Sequence, residues 1–130
     1  MRLKKIPIGI IIIRWDNEIG PISEAFYPES LKITNNLLTQ VYSSHRYQSL
    51  NPGFASISLK NNKVVSFFSG VGDNFVEIEN YVIALVLRRD EQTNKYREIL
   101  KKIAAEILGK IREGDYKKAL PNLYKDLAKI

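Results

Sequence analysis

Four consecutive isoleucines at positions 10–13 constrain the fold of this chain more than any other feature. Isoleucine is β-branched and favours a strand, and successive side chains of a strand point to opposite faces of a sheet. A strand that is apolar at every position therefore needs cover on both faces. A second run, residues 82–87, has the same property. We expect both strands to lie inside a sheet that carries helices on its two faces.

The length and composition are those of one globular domain. The 130 residues are 45% hydrophobic and 26% charged, which supplies enough apolar material for a core and excludes disordered, collagen-like and coiled-coil chains. We predict a single domain over residues 1–130. The chain has no cysteine, so a disulfide scaffold, a thiolate metal site and a cysteine nucleophile are excluded.

Turn-forming residues divide the chain into short elements. Strands are predicted at about 6–15, 22–27, 54–59, 63–69 and 81–88, and helices at about 33–47, 96–111 and 116–127. Ser30 and Asp90 are the predicted caps of the first two helices. Asn61 and Asn62 form the predicted turn between the third and fourth strands, and Pro121 is a candidate break in the last helix.

The resulting order, β-β-α-β-β-β-α-α, predicts an α+β fold built as an α/β/α sandwich. The first and fifth strands need cover on both faces, so they should lie innermost in a five-stranded, mainly antiparallel sheet with strand order 2-1-5-4-3. The first helix then covers one face, and the two C-terminal helices cover the other. The second and third strands become the edges of the sheet.

The residues that usually carry out catalysis are scarce in this sequence. The only histidine, His45, is predicted at the surface near the end of the first helix. Two glycines in segment 70–72 resemble part of a dinucleotide-binding turn, but the third glycine position holds Phe75. Three nearby acidic residues lack the spacing of a calcium loop: Asp73, Glu77 and Glu79. We predict a non-catalytic protein with no cofactor and no metal, and keep a small-molecule enzyme as the third alternative.

The net charge of +6 is concentrated near the C-terminus, where residues 88–130 hold 12 basic and 7 acidic side chains. A basic surface favours nucleic acid or an anionic membrane as a partner, so binding to either is the second alternative. Acidic residues are interspersed among the basic ones, which favours an ordinary solvated helix face and makes nucleic acid the less favoured partner.

The first helix and the third strand share an absence of charge. Residues 33–45 contain no Lys, Arg, Asp or Glu, and depletion of charge is typical of the core of a protein interface. Residues 54–59 also lack the charge or proline that normally prevents an edge strand from pairing. We predict a two-fold dimer through both elements. Its predicted interface residues are Asn35, Asn36, Thr39, Gln40, Ser43, Phe54, Ser56 and Ser58.

Several segments together resemble the longin domains, in particular the archaeal single-domain forms and the N-terminal longin of nitrogen-permease-regulator-like proteins. The resemblance covers nearly the whole chain and depends on the order of the elements more than on any one motif. It is carried by segment 10–22 with its Gly20-Pro21 hairpin, Pro28 and the first helix, segments 62–65, 81–87 and 96–102, and Leu120-Pro121. Roadblock domains, which begin with a helix, are less similar.

The longin resemblance implies a non-catalytic platform of the SNARE-like superfamily, which pairs as a homodimer or with another longin or roadblock domain. It also implies regulation of small Ras-like GTPases, or a role in vesicle trafficking and tethering complexes. The residues it suggests for contact with a GTPase are Trp15, Asp16, Asn17 and Glu18. A position in the core or at its rim is the alternative for Trp15. We expect a cytoplasmic protein, with peripheral association at a membrane as a further expectation.

Overall fold

The computed structural model describes residues 8–16, 18–46, 53–59, 62–68, 81–110 and 116–127. The strands are β1 (Gly9–Asp16), β2 (Gly20–Tyr27), β3 (Gly53–Ser58), β4 (Asn62–Phe68) and β5 (Tyr81–Arg88). The helices are α1 (Asn35–Arg46), α2 (Arg97–Lys110) and α3 (Tyr116–Leu127), and a 3-10 turn, Thr93–Tyr96, precedes α2. The two glycines of segment 70–72 and the acidic residues Asp73, Glu77 and Glu79 lie outside the described residues.

The five strands form one antiparallel sheet in the order β2-β1-β5-β4-β3, as the sequence predicts. β1 pairs with β2 on one side and with β5 on the other, and β4 links β5 to β3. The predicted α+β fold, the strand order and the number of helices are therefore confirmed.

The core has two halves, one on each face of the sheet. Ile10 and Ile12 pack with the buried residues of α2 and α3, whereas Ile11 and Ile13 pack with those of α1. All four isoleucines have no exposed surface. Residues 82–87 of β5 are buried in the same alternating way. The predicted placement of α1 on one face and of α2 and α3 on the other is confirmed, because each half of the core needs its own helical cover.

Three local predictions around β4, α2 and α3 are wrong. Asn62 belongs to β4, where its side-chain amide donates a hydrogen bond to the carbonyl oxygen of Leu87 (3.3 Å), and Asn61 lies outside the described residues. Asp90 does not hold the predicted cap position, because α2 is preceded by a 3-10 turn whose N-cap residue is an extended Gln92. Pro121 does not divide α3, whose flanking residues are held in the core. Packing there outweighs the one backbone hydrogen bond that proline removes.

The buried carboxylate of Glu91 holds the junction between β5 and α2. Its two oxygens accept hydrogen bonds from the backbone N–H of Arg88 (2.8 Å) and from the hydroxyl of Tyr96 (2.8 Å). Its carbonyl oxygen accepts a third hydrogen bond, from the ammonium group of Lys63 in β4 (3.2 Å). Burial and the adjacent carboxylate raise the pKa of Tyr96, so this hydroxyl stays protonated as a donor.

We expect Glu91→Ala to lower the free energy of unfolding by about 2 kcal/mol, because a buried hydroxyl and a backbone N–H lose a charged acceptor. Urea denaturation followed by circular dichroism measures the change. Gln92→Ala is the matched control, since this neighbouring side chain is exposed, and we expect it to change stability by less than about 0.5 kcal/mol. Equal losses in the two variants would contradict the role assigned to Glu91.

Candidate interaction surface

β3 forms one edge of the sheet, and among the described residues it pairs only with β4. The N–H of Leu59 donates to the carbonyl oxygen of Asn62 (2.7 Å), which makes this pair a hydrogen-bonded one. In an antiparallel ladder, hydrogen-bonded and non-hydrogen-bonded pairs alternate. The register therefore turns the backbone N–H and C=O groups of Phe54, Ser56 and Ser58 away from β4, towards the open edge.

The side chains of β3 divide between the two faces of the sheet. Ile57 packs with the half of the core under α1. Phe54 is half-buried on the opposite face, where its ring lies 5.2 Å from the ring of Phe67 and 5.1 Å below the guanidinium of Arg97. Ser56 is exposed, and so is Ser58. In all three predicted interface residues of β3, the backbone N–H and C=O groups point away from β4. Only the two serines also have exposed side chains.

α1 places its uncharged side next to this edge. Asn36 and Gln40 line a groove of about 540 Å³ together with Ser58 and Leu59, at the end of β3. Of the other predicted residues of α1, Asn35 and Thr39 are exposed and Ser43 is half-buried. The structure therefore brings two of the five predicted helix residues into the same groove as β3.

The start of α1 depends on Thr34 and not on the predicted cap, Ser30. The hydroxyl of Thr34 accepts a hydrogen bond from the N–H of Leu37 (3.1 Å), which satisfies a backbone donor that the first turn leaves unpaired. From that start, the helical repeat buries Leu38, Val41 and Tyr42 against the sheet. The uncharged side chains are then on the opposite side of the helix, which is why they face outward.

His45 is buried, so its predicted surface position is wrong. Only 4% of the residue is exposed, and its Nε2 lies 2.7 Å from the hydroxyl oxygen of Ser66 in β4. The ring also packs against Phe68, with centroids 5.6 Å apart. Burial lowers the pKa of His45 to about 4, so the ring is neutral at neutral pH. The pair anchors the end of α1 on β4 instead of forming an accessible catalytic dyad.

The opposite edge of the sheet, β2, is protected against pairing. Pro21 lies in this strand and supplies no backbone N–H. A bulge interrupts the register between Ile12 and Ile13 of β1, and Glu24 of β2 forms an ion pair with Arg14 (3.0 Å). Proline, charge and bulges are the devices that discourage edge strands from pairing. The described residues of β3 contain none of the three.

The β1–β2 hairpin presents a mixed polar and apolar tip. The carboxylate of Asp16 accepts hydrogen bonds from the N–H groups of Glu18 (2.9 Å) and Ile19 (3.0 Å), and these bonds hold the pKa of Asp16 below its ordinary value. Gly20 closes the turn at a φ of 97°, a conformation that favours glycine. Ile19 is 74% exposed and was missed by sequence reasoning. Asn17 and the side chain of Trp15 lie outside what the structure describes, and Glu18 is exposed.

Other kinds of site find little support in the described part of the chain. It contains no group of three or more His, Cys, Asp or Glu side chains that could hold a metal ion. The exposed cations of α2 include Lys101, Lys102 and Lys110, and the carboxylates of Glu98 and Glu106 are exposed on the same helix. None of the described helices is both long enough and apolar enough to cross a membrane.

Comparisons with known proteins identify no family for this chain. No protein-family model matches it, and no curated protein matches it either. The longin resemblance therefore remains a prediction that depends on the order of the elements.

Proposed function

We propose that this chain is a non-catalytic interaction module of the longin type, which pairs with a second such domain through β3 and α1. The observation that carries the proposal is the edge formed by β3, which among the described residues pairs with β4 alone. Its outward backbone groups lie beside an uncharged helix surface. An added strand satisfies those groups with main-chain hydrogen bonds, and the neighbouring helix supplies further contact area. The proposal extends to a cytoplasmic location with peripheral association at a membrane.

The contrast between the two edges supports pairing through β3 in particular. Exposed edges are normally protected because they template aggregation, and β2 carries that protection through Pro21 and its bulge. β3 is neutral over its whole length, Gly53–Ser58. An edge without protection is expected where another chain normally covers it.

A second surface is available for a different partner. The β1–β2 hairpin belongs to the β2 edge, at the far side of the sheet from β3. Its exposed Ile19 and Glu18 are therefore available while β3 is paired. We propose this hairpin as the contact for a small Ras-like GTPase or for a tethering complex, as the longin resemblance implies.

Ser56→Pro tests the pairing through β3. It removes an outward N–H while leaving the bonds to β4 intact, so the fold should survive and pairing should not. We expect the unchanged chain to sediment as a dimer at tens of micromolar in 0.5 M NaCl, and Ser56→Pro to sediment as a monomer. Ser56→Thr, which keeps the N–H, is the matched control and should remain dimeric.

Asn36→Glu tests the contribution of α1, because it places a charge in the groove beside β3. We expect the dimer dissociation constant in 0.5 M NaCl to rise by at least tenfold, because attraction to Lys32 in the same groove is screened while pairing still buries the new charge. Asn122→Glu, on the exposed side of α3, should leave it unchanged. A monomeric unchanged chain, or a mass that neither Ser56→Pro nor Asn36→Glu alters, would count against the proposed function.

A further inference from the structure

The open edge of β3 is flanked by positive charge. On the side of α2, a groove of about 500 Å³ is lined by Phe54, Asn94, Arg97, Glu98 and Lys101; we call this the β3–α2 groove. On the side of α1, the groove beside β3 also contains Lys32. The two grooves together contain three cations and one carboxylate among their lining residues. The strand itself is neutral, so the charge that an added strand meets comes from flanking groups such as these.

The packing of α2 determines which of its cations border the β3–α2 groove. Burial of Leu100, Ile103 and Ile107 orients the helix, and residues four apart lie on the same side of it. Arg97 and Lys101 therefore share the side that borders β3. The guanidinium of Arg97 stacks over the ring of Phe54 at 5.1 Å, which keeps its charge directly beside the edge.

The positive charge of the β3–α2 groove affects which kind of strand can pair with β3. An added strand lies about 4.8 Å from β3, so its side chains on this face approach Arg97 and Lys101 closely. A two-fold arrangement of identical chains brings a second set of the same cations to the junction. Like charges brought close together at an interface destabilise it, and opposite charges favour it.

We propose that the β3 edge selects a strand from a different polypeptide, one that carries carboxylates on the side facing α2, in preference to a second copy of this chain. The inference rests on the proposed function, since it concerns the partner of the same edge. Self-pairing through β3 then requires high salt to screen the cations, whereas pairing with the acidic partner is strongest at low salt.

A charge-reversed copy of the chain serves as the acidic probe. The double variant Arg97→Glu/Lys101→Glu, labelled with a fluorophore, is mixed with the unchanged chain at 50 mM and 500 mM NaCl, and sedimentation gives the affinity. At 50 mM NaCl we expect this mixed pair to be at least tenfold tighter than the self-pair of the unchanged chain. At 500 mM NaCl the difference should fall below about threefold.

Two further variants separate the effect of position from that of total charge and folding. Lys102→Glu/Lys110→Glu changes the net charge by the same amount on exposed positions of α2 that do not line the groove, and it should show no preference for the unchanged chain. Lys101→Glu alone keeps the stacked Arg97 and should show a smaller preference in the same direction.

Each outcome bears on one proposal or the other. A self-pair that is as tight as the mixed pair at 50 mM NaCl, and that Ser56→Pro abolishes, overturns the choice of an acidic partner and leaves the proposed function standing. An equal preference for the control double variant also overturns it. If Ser56→Pro fails to weaken the mixed pair, the edge-pairing function itself is wrong.

Discussion

Replacing Ile11 or Ile12 with alanine is expected to lower the free energy of unfolding by about 3 kcal/mol in each case. The two residues are adjacent in β1, have no exposed surface, and contribute to opposite halves of the core. Each truncation removes buried methyl groups and leaves a cavity that the surrounding side chains fill only in part. Urea denaturation of the purified variants measures both losses.

Ile19→Ala is the control for these substitutions, because it removes the same atoms from a side chain that is 74% exposed. We expect it to alter stability by less than about 0.5 kcal/mol. A sheet covered on one face alone would make only one member of the Ile11 and Ile12 pair sensitive. Such a result would disprove the two-sided core on which the layered fold depends.

Acid is expected to destabilise the fold between pH 6.5 and about pH 4, through His45. Its pKa is about 4 in the folded state, below the ordinary value of 6.5, so the unfolded chain binds more protons in this range. The stability that the neutral His45 ring contributes is fully present above pH 6.5 and is lost as the pH falls towards 4. The full loss amounts to about 3 kcal/mol. Denaturation midpoints measured at half-unit pH steps report it.

His45→Gln is the matched variant, because it keeps a polar group near Ser66 but does not titrate in this range. We expect a lower stability at pH 7 and a flat profile between pH 6.5 and pH 4.5. Asp16 has a lowered pKa, so the stability it contributes is lost only below its ordinary value of 3.8, outside that window. An unchanged slope in His45→Gln would show that another group causes the acid sensitivity.

Much of the fold could be predicted because it follows from patterns that are local in the chain. The apolar runs at 10–13 and 82–87 require cover on both faces whatever the rest of the structure does. That requirement places β1 and β5 inside the sheet and leaves β2 and β3 at its edges. The neutral composition of β3 and of α1 was likewise visible in the sequence, and so were the candidate interface residues.

Contacts between residues that are distant in the chain could not be predicted in this way. The position of α1 over β4 buries His45 beside Ser66, and no local pattern indicates that this histidine leaves the surface. The carbonyl oxygen of Glu91 accepts a hydrogen bond from the ammonium group of Lys63, which lies in β4, and no local pattern indicates this contact either. Both depend on how the elements pack, since a polar group can be buried only where a partner is available.

The same division applies to the proposed interaction surface. Hydrophobic periodicity assigns each residue to a buried or an exposed side of its own strand or helix, and this was enough to predict a neutral edge and a neutral helix. It does not specify which exposed residues of different elements become neighbours. Arg97 reaches Phe54 because α2 packs across β4 and β5 with one side bordering β3. The positive charge beside β3 therefore depends on the tertiary structure. The side chains buried between α2 and the sheet set the distance between them, and that distance places Arg97 next to Phe54.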